Sequence, residues 1–406
     1  MKLPTVKGKL KTAWRSKKLT IFFYILFTIV IISSLTYKVY LLNYNTKKLN
    51  FDVDALNTEK IQTTHDLEVT LEELNELKNQ DQVKINEELE KEITNIQKTY
   101  KSAVDVYESL IKLKESSKDT NAFDKQFAEI LSLLSSRDYK TATEKTLSLE
   151  KSIKEQEEKI AQSFTIPESI PVVNSPPGSG YSRQQVTTDA GTFMVSLVAV
   201  DLGNTRVVVD TASDSDCNDN CPVLPLSTYV SRNGAFAGIN GSYFCPASYP
   251  SCAGKTNTFD LLIMNKNKTY FNSSNNVYSN NPGVIFGNGY IRFVSAVSQW
   301  GRDTSIDSML SNYPLLIQGG NISFGGDDDP KKGSKGARSF VANKGNTVYI
   351  GVVHNATVAE SARTMKALGM ENALNLDNGG STALWSGGYK VGPGRDLPNV
   401  VLFIRK

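Results

Sequence analysis

The chain has 406 residues, of which 21% are charged, and a net charge of +3. That length suits two or three domains, and the near balance of 45 basic and 42 acidic residues speaks against a nucleic-acid binder. Composition is uneven along the chain: Lys, Glu and Leu dominate to about residue 163, and Gly, Asn, Ser, Val and Tyr beyond it, which marks a domain boundary.

Residues 1–18 form a basic tail carrying Lys2, Lys7, Lys9, Lys11, Arg15, Lys17 and Lys18 and no acid. The stretch LTIFFYILFTIVIISSLTY, Leu19 to Tyr37, carries no charge and has the ~20-residue length that a bilayer core requires. A transmembrane helix is expected over 19–42. The excess of positive charge before it places the N-terminus in the cytoplasm and everything after residue 43 outside. The rival is a cleaved signal peptide, but the apolar run is long for an h-region and no A-x-A-like site follows it. The expected location is therefore the cell membrane, single-pass, with an extracytoplasmic C-terminal domain.

Residues 43–163 read as a helical stalk. Apolar residues recur at three and four: Leu67, Leu71, Leu74, then Ile85, Leu89, Ile93, Ile96, Tyr100, Ala103, Tyr107 and Leu110. Breaks are expected near Lys118 to Asn121 and at Ser135-Ser136, with a last helix from about Tyr139 to Ile160. The product is a coiled coil or a small helical bundle, and its seam suits a homo-oligomer equally well. Its charged face is read as solvated. FTIPESIPVVNSPPGSGYSRQ, residues 164–184, has four prolines and two glycines and reads as a linker.

From residue 185 the pattern changes to short β-branched runs bounded by Gly and Asp: GTFMVSLVAVDLG, TRVVVDTA, GVIFGNGYIRFVSAV, YPLLIQGG and RSFVANKGNTVYIGVV. SARTMKALG, Ser361 to Gly369, is the best helix. The expectation is an α+β domain with a mixed sheet over 185–406. All four cysteines, Cys217, Cys221, Cys245 and Cys252, lie here. An even, clustered set outside a membrane favours two disulfides, with three connectivities open. A zinc site is the rival, with poor spacings and no His nearby.

Five stretches carry candidate chemistry: AFAGINGSYFCP with Asn240; KGARSFVAN with Arg338; VYIGVVHNATVAESARTMKALG with His354 and Glu360; NLDNGGSTALW with Asp377; and GRDLPNVVLFI with Arg395. Each has a plainer reading. Asn-Gly is a turn signal, an acid in a first helical turn suits the helix dipole, a lone His near a strand end is often structural, and Asp readily caps a turn. Asp327, Asp328, Asp329 and the set Asp214, Asp216, Asn218, Asp219 are oxygen-rich loops. The first three of that set match the opening of a calcium loop, but its sixth-position Gly and twelfth-position acid are missing, so solvated loop acids are the favoured reading and calcium the alternative.

In the order GINGSYF, an Arg-bearing strand, a strand with a Glu-bearing helix, LGMENALNLDNGGST and R-x-x-PNVVLF, residues ~190–406 resemble the phosphodiester glycosidase family, which includes the enzyme that uncovers mannose 6-phosphate by removing N-acetylglucosamine. Family motifs run roughly G-x-N-G-G-F-F, R-T-A and N-L-D-G-G-G-S-S/T. Here Ser242, Ser339-Phe340 and Asn378 depart from them, Asn378 being expected to take a left-handed backbone in place of Gly. Asp210 to Pro222 looks like an insertion. The resemblance implies a hydrolase that cleaves the bond between an anomeric carbon and a phosphate, with a carbohydrate or sugar-phosphate substrate. A non-catalytic glycan-binding or envelope-organising module on the same fold is the alternative. Arg338 and Arg395 would hold phosphate oxygens. Gly379 and Gly380 would let backbone N–H groups approach an anion, with Asn378, Ser381 and Thr382 adding donors. Asp377 and Glu360 would be the carboxylate pair, His354 a titrating group, and Asn240 a hydroxyl or N-acetyl holder.

Overall fold

The computed structural model describes residues 9–117, 119–272 and 279–406. The tail lysines Lys2 and Lys7, and Lys118 at the first expected break, lie outside these residues. The chain divides into two compact units, Met1–Thr94 and Asn95–Lys406.

In the first unit a single helix, α1, runs over Lys9–Lys78. From Ile21 it contains a segment long and apolar enough to cross a membrane, with mean hydropathy 1.9 and none of it buried. Leu67, Leu71 and Leu74 are exposed as well. The helix stops at a turn at Asn79-Gln80, and α2 follows over Asp81–Ser116. The repeat of apolar residues does not show this break. Asn is a weak helix former whose side chain competes with the backbone ladder.

In the second unit the later part of α2, α3 (Asn121–Ser135) and α4 (Tyr139–Ser163) form a bundle. Its core holds Ala103, Val106, Leu110, Leu113, Ile130, Leu134, Ala142, Leu149 and Ile153. These residues recur at three and four along each helix, so one stripe per helix is buried. Tyr107 stacks on Phe127 with ring centroids 4.8 Å apart. Asp138 starts α4 by accepting a hydrogen bond from Thr141 N at 3.1 Å. The Pro-rich segment that follows is pinned rather than free. Gln184 Nε2 donates to the carbonyls of Val173 and Ser175, and Gln185 Nε2 to that of Ile170.

The rest is three sheets, and the α+β class stands. The largest has seven strands in the order Gly180–Thr188, Gly191–Asp201, Thr347–Ala356, Gly336–Lys344, Asn372–Asn375, Leu315–Gln318 and Asn321–Ile322. A second runs Tyr389–Val391, Leu384–Ser386, Ala237–Asn240, Asn399–Arg405 and Thr205–Thr211. The third comprises Tyr270–Phe271, Ile263–Met264, Ser308–Ser311, Gly283–Gly287 and Tyr290–Val294. Every pairing among these described strands is antiparallel, so the sheets are not mixed. Tight connections such as Lys344 to Thr347 permit only that pairing.

The strand Gly191–Asp201 is apolar almost throughout because both its faces are covered. Val198 and Val200 point into a core shared with Val209, Ile239, Val401 and Phe403 of the second sheet. Val195 and Leu197 point the other way, against Val358, Ala362 and Met365. Three further helices complete the domain: α5 (Leu226–Arg232), a short α6 (Pro330–Gly333) and α7 (Val358–Ala367). Both disulfides are local, Cys217 to Cys221 and Cys245 to Cys252.

Candidate functional site

Three segments meet where the largest sheet faces the second one. Asn240 ends its strand, Ser339 sits in the middle of another, and Asp377 follows Asn372–Asn375 by two residues. The backbone at this junction is closed: Leu376 N donates to Ser339 O at 2.9 Å and Asp377 N to Gly241 O at 2.9 Å. Side-chain amides complete it. Asn240 Nδ2 donates to Asp377 O at 2.7 Å. Asn240 Oδ1 accepts from Ser339 Oγ at 2.9 Å and from Ala383 N at 3.2 Å. Asn375 Nδ2 donates to the Tyr243 hydroxyl at 2.7 Å, and Asn312 Nδ2 to Asn375 O at 2.8 Å. Asn399 Oδ1 accepts from Ser242 N at 2.7 Å. Amides serve here because each can donate and accept at once, which satisfies buried backbone groups from several elements.

Asn240 is thus wholly buried, with its Oδ1 and one Nδ2 hydrogen bond committed to the scaffold. The departures from the family motif have partners too. Ser242 Oγ donates to Ser311 O at 2.8 Å, and Ser339 N donates to Asn378 Oδ1 at 2.9 Å. Asn378 also donates to the Tyr243 hydroxyl and to Asn375 Oδ1. Its backbone is extended, with φ −127°, and the left-handed residue of the turn is the next one, Gly379, at φ 61°. The expected left-handed Asn is therefore corrected: the turn spends a glycine where the strain falls, and Asn378 contributes its amide.

Asp377 is 9% exposed. Its Oδ1 accepts from Asn378 N at 2.8 Å. Burial pushes its carboxyl up to about 7, against the opposing pull of the Ser381 hydroxyl and the Arg395 guanidinium. Asp260 lies close enough to raise it further. Asp260 is itself raised by burial, with Lys255 and Lys331 opposing. Tyr243 and Tyr313 stand beside it with ring centroids 5.1 Å apart, and burial pushes both phenols up.

Arg395 is fixed at the same turn through its backbone, Arg395 N donating to Gly380 O at 2.7 Å. Its guanidinium lies over the Tyr249 ring, 5.4 Å from the centroid. It is paired with Glu115, in the last turn of α2. The helical face read as solvated is therefore engaged. Glu108 Oε1 accepts from Ser251 N at 3.0 Å, inside the Cys245–Cys252 loop, and Lys112 Nζ donates to Ser334 Oγ at 2.7 Å.

The other expected site residues lie elsewhere or are already committed. Arg338 is 5% exposed, and its guanidinium donates to the carbonyls of Ala356, Lys331 and Ser334. Tyr243 is close enough to act on its charge. Glu360 completes a capping box with Thr357, donor distances being 2.7 and 3.1 Å, and pairs with Lys335. His354 Nε2 and the Ser196 hydroxyl share a hydrogen bond of 3.0 Å, and that hydroxyl accepts from Arg183 Nε at 3.1 Å. Burial and then Arg183 lower its imidazole to about 4, so it is neutral at pH 7. Ser381 and Thr382 are buried, and Thr382 Oγ1 has no hydrogen-bond partner among the described residues. Tyr243, Tyr249, Asp260, Asn312, Tyr313 and Glu115 stand around the site without having been singled out in the sequence. Tyr243 lies inside the GINGSYF motif and Tyr249 three residues beyond Pro246; nothing local marks the others.

Among the described residues no group of three or more His, Cys, Asp or Glu side chains is placed to hold a metal ion. Asp216 and Asp219 instead accept backbone N–H groups of Asn272 and Thr256. Among the described residues the acids of the candidate calcium loop thus form no such carboxylate group.

Among solved structures, a hypothetical protein from Synechocystis matches with 14% identity and a TM-score of 0.41, over 56% of this chain and 62% of that one. This chain thus spans less than two thirds of that protein. The catalytic domain of zebrafish N-acetylglucosamine-1-phosphodiester α-N-acetylglucosaminidase, auto-inhibited by its pro-peptide, matches with 17% identity and a TM-score of 0.44, over 59% of this chain and 87% of that one. No curated protein sequence gives a significant match. The model of the phosphodiester glycosidase family matches residues 233–404, a span holding Asn240, Ser339, Asp377 and Arg395. Over those residues, this chain carries the sequence signature of the phosphodiester glycosidase family.

Proposed function

We propose that the C-terminal domain is a hydrolase that releases a sugar from a sugar-1-phosphodiester, and that α1 anchors it on the outer side of a membrane. The observation that carries this reading is the convergence of one buried carboxyl, Asp377, and one guanidinium, Arg395, on the Gly379-Gly380 turn. Family membership of the region and two disulfides, which persist in oxidising compartments, support it.

The chemistry follows from these groups. Arg395 holds a phosphate oxygen, and the bare glycine backbone admits the rest of the anion. Charge that develops on the leaving phosphate is met by a preorganised cation. Water attacks the anomeric carbon: its oxygen bonds to C1, the bond from C1 to the bridging oxygen breaks, and that oxygen leaves with the phosphate, keeping the electron pair. The water proton passes to the Asp377 carboxylate and then to solvent. A carboxyl poised near 7 suits this exchange at neutral pH. Tyr243 and Tyr313 offer ring faces for the sugar. Arg338 acts as scaffold for α6 and its C-terminal end, through the carbonyls of Lys331 and Ser334.

The test is sugar release by the purified full chain from a panel of α- and β-linked sugar-1-phosphodiesters, with and without EDTA, beside Asp377→Ala. Release that the variant lacks supports the reading. No release by a folded chain sinks it and points to a glycan-binding module.

A further inference from the structure

We propose that Glu115 occupies the phosphate seat of the site, so that the helical bundle holds it closed until an anionic ligand displaces the carboxylate. This rests on the reading of Arg395 as the phosphate holder. Three residues of α2, spaced at i, i+4 and i+7, form one docking face. Glu108 accepts from Ser251 N, Lys112 reaches Ser334, and Glu115 reaches Arg395. Each contact lands on a different loop at the rim: the disulfide loop, the end of α6, and the segment before the last strand.

Glu115 does more than pair with an arginine. Its carboxylate lies on the glycine turn itself. A Cβ on Gly380 would collide with Glu115 Oε1 and the Arg395 guanidinium together, and one on Gly379 would lie 3.7 Å from Glu115 Oε2. A carboxylate held by a guanidinium over bare backbone reproduces the surroundings a phosphate oxygen pair would need. The pair is partly shielded, with 20% and 27% of the two side chains exposed, so salt weakens it only in part. The competitor is tethered, so every ligand meets it at a high local concentration. Its removal raises apparent ligand affinity by the ratio of closed to open molecules.

Glu115→Gln in the full chain keeps the size of the side chain and removes its charge. Binding of inorganic phosphate is the first readout, because it needs no turnover. The expected result is about tenfold tighter phosphate binding than wild type, lost again in Glu115→Gln/Arg395→Gln. Hydrogen exchange gives the second readout. Phosphate added to the unmutated chain should speed exchange in the last two turns of α2. On any diester that is cleaved, Glu115→Gln should lower KM with kcat not reduced. Unchanged or weaker phosphate binding in Glu115→Gln overturns the proposal. So does a fall in kcat with unchanged KM, which would make Glu115 a positioning residue for Arg395. Tighter phosphate binding without cleavage of any diester would keep the closed seat and sink the glycosidase reading instead.

Discussion

Asn240 and Asp377, 137 residues apart, are joined by a buried hydrogen bond of 2.7 Å from the amide of one to the main-chain carbonyl of the other. The amide oxygen of Asn240 holds Ser339 and Ala383 at the same time. One side chain thus ties three strands at the base of the site. Asn240→Ala should leave a buried N–H and a buried carbonyl without partners and cost about 3 kcal/mol. Urea unfolding of the purified chain checks this, and an effect under 1 kcal/mol would mean that the junction rearranges freely.

Asp377 makes stability depend on pH in a defined direction. Its folded carboxyl sits at about 7, above the ordinary 3.8. Between those values the folded chain holds a proton that the unfolded chain has lost. Its contribution is therefore greatest below pH 4 and falls as pH rises through 7, by on the order of 4 kcal/mol at full span. Asp377→Asn should remove this slope, so that the variant gains on the wild type between pH 5 and pH 8. Parallel unfolding curves at the two pH values would show that the carboxyl is not buried in this way.

The rate should follow the same group. If Asp377 accepts the water proton, sugar release rises with pH through a limb near 7 and is flat above it, and Asp377→Asn loses release by at least about a hundredfold. His354 at about 4 gives no limb in that range. A profile that climbs only below pH 5 would shift the role away from Asp377.

Gly241 is a site of close approach. A Cβ there would lie 2.9 Å from the Asn399 carbonyl oxygen and closer still to its amide. Asn399 cannot withdraw, because its Oδ1 holds Ser242 N and its backbone holds Gly241 N. Gly241→Ala should cost about 2 kcal/mol and lower the melting temperature by several degrees. An unshifted melting curve would show slack at this contact.

Glu360 separates structural from chemical roles. Glu360→Ala removes a capping-box partner and the Lys335 pair, an expected loss of about 1 kcal/mol. Release per folded molecule should stay within about twofold. A hundredfold loss would return Glu360 to the chemistry as the second carboxylate.

Local chemistry made much of this legible in advance. An uncharged run of bilayer length, apolar repeats at three and four, and β-branched runs between glycines each report their own backbone, so helices, strands and the α+β class could be read from sequence. The NLDNGGSTALW turn was legible for the same reason, since its glycines announce the left-handed backbone that Gly379 adopts. What remained hidden depends on partners far along the chain. Asp260 and Tyr313 reach Asp377 only because separate loops close over one junction. Arg338, read as a phosphate ligand, turns its Nε and Nη2 toward carbonyls that α6 and the strand before α7 bring beside it. Glu115 looked like one more solvated acid on a charged helix, and a seat beside Arg395, 280 residues on, is set by packing rather than by any neighbour in sequence.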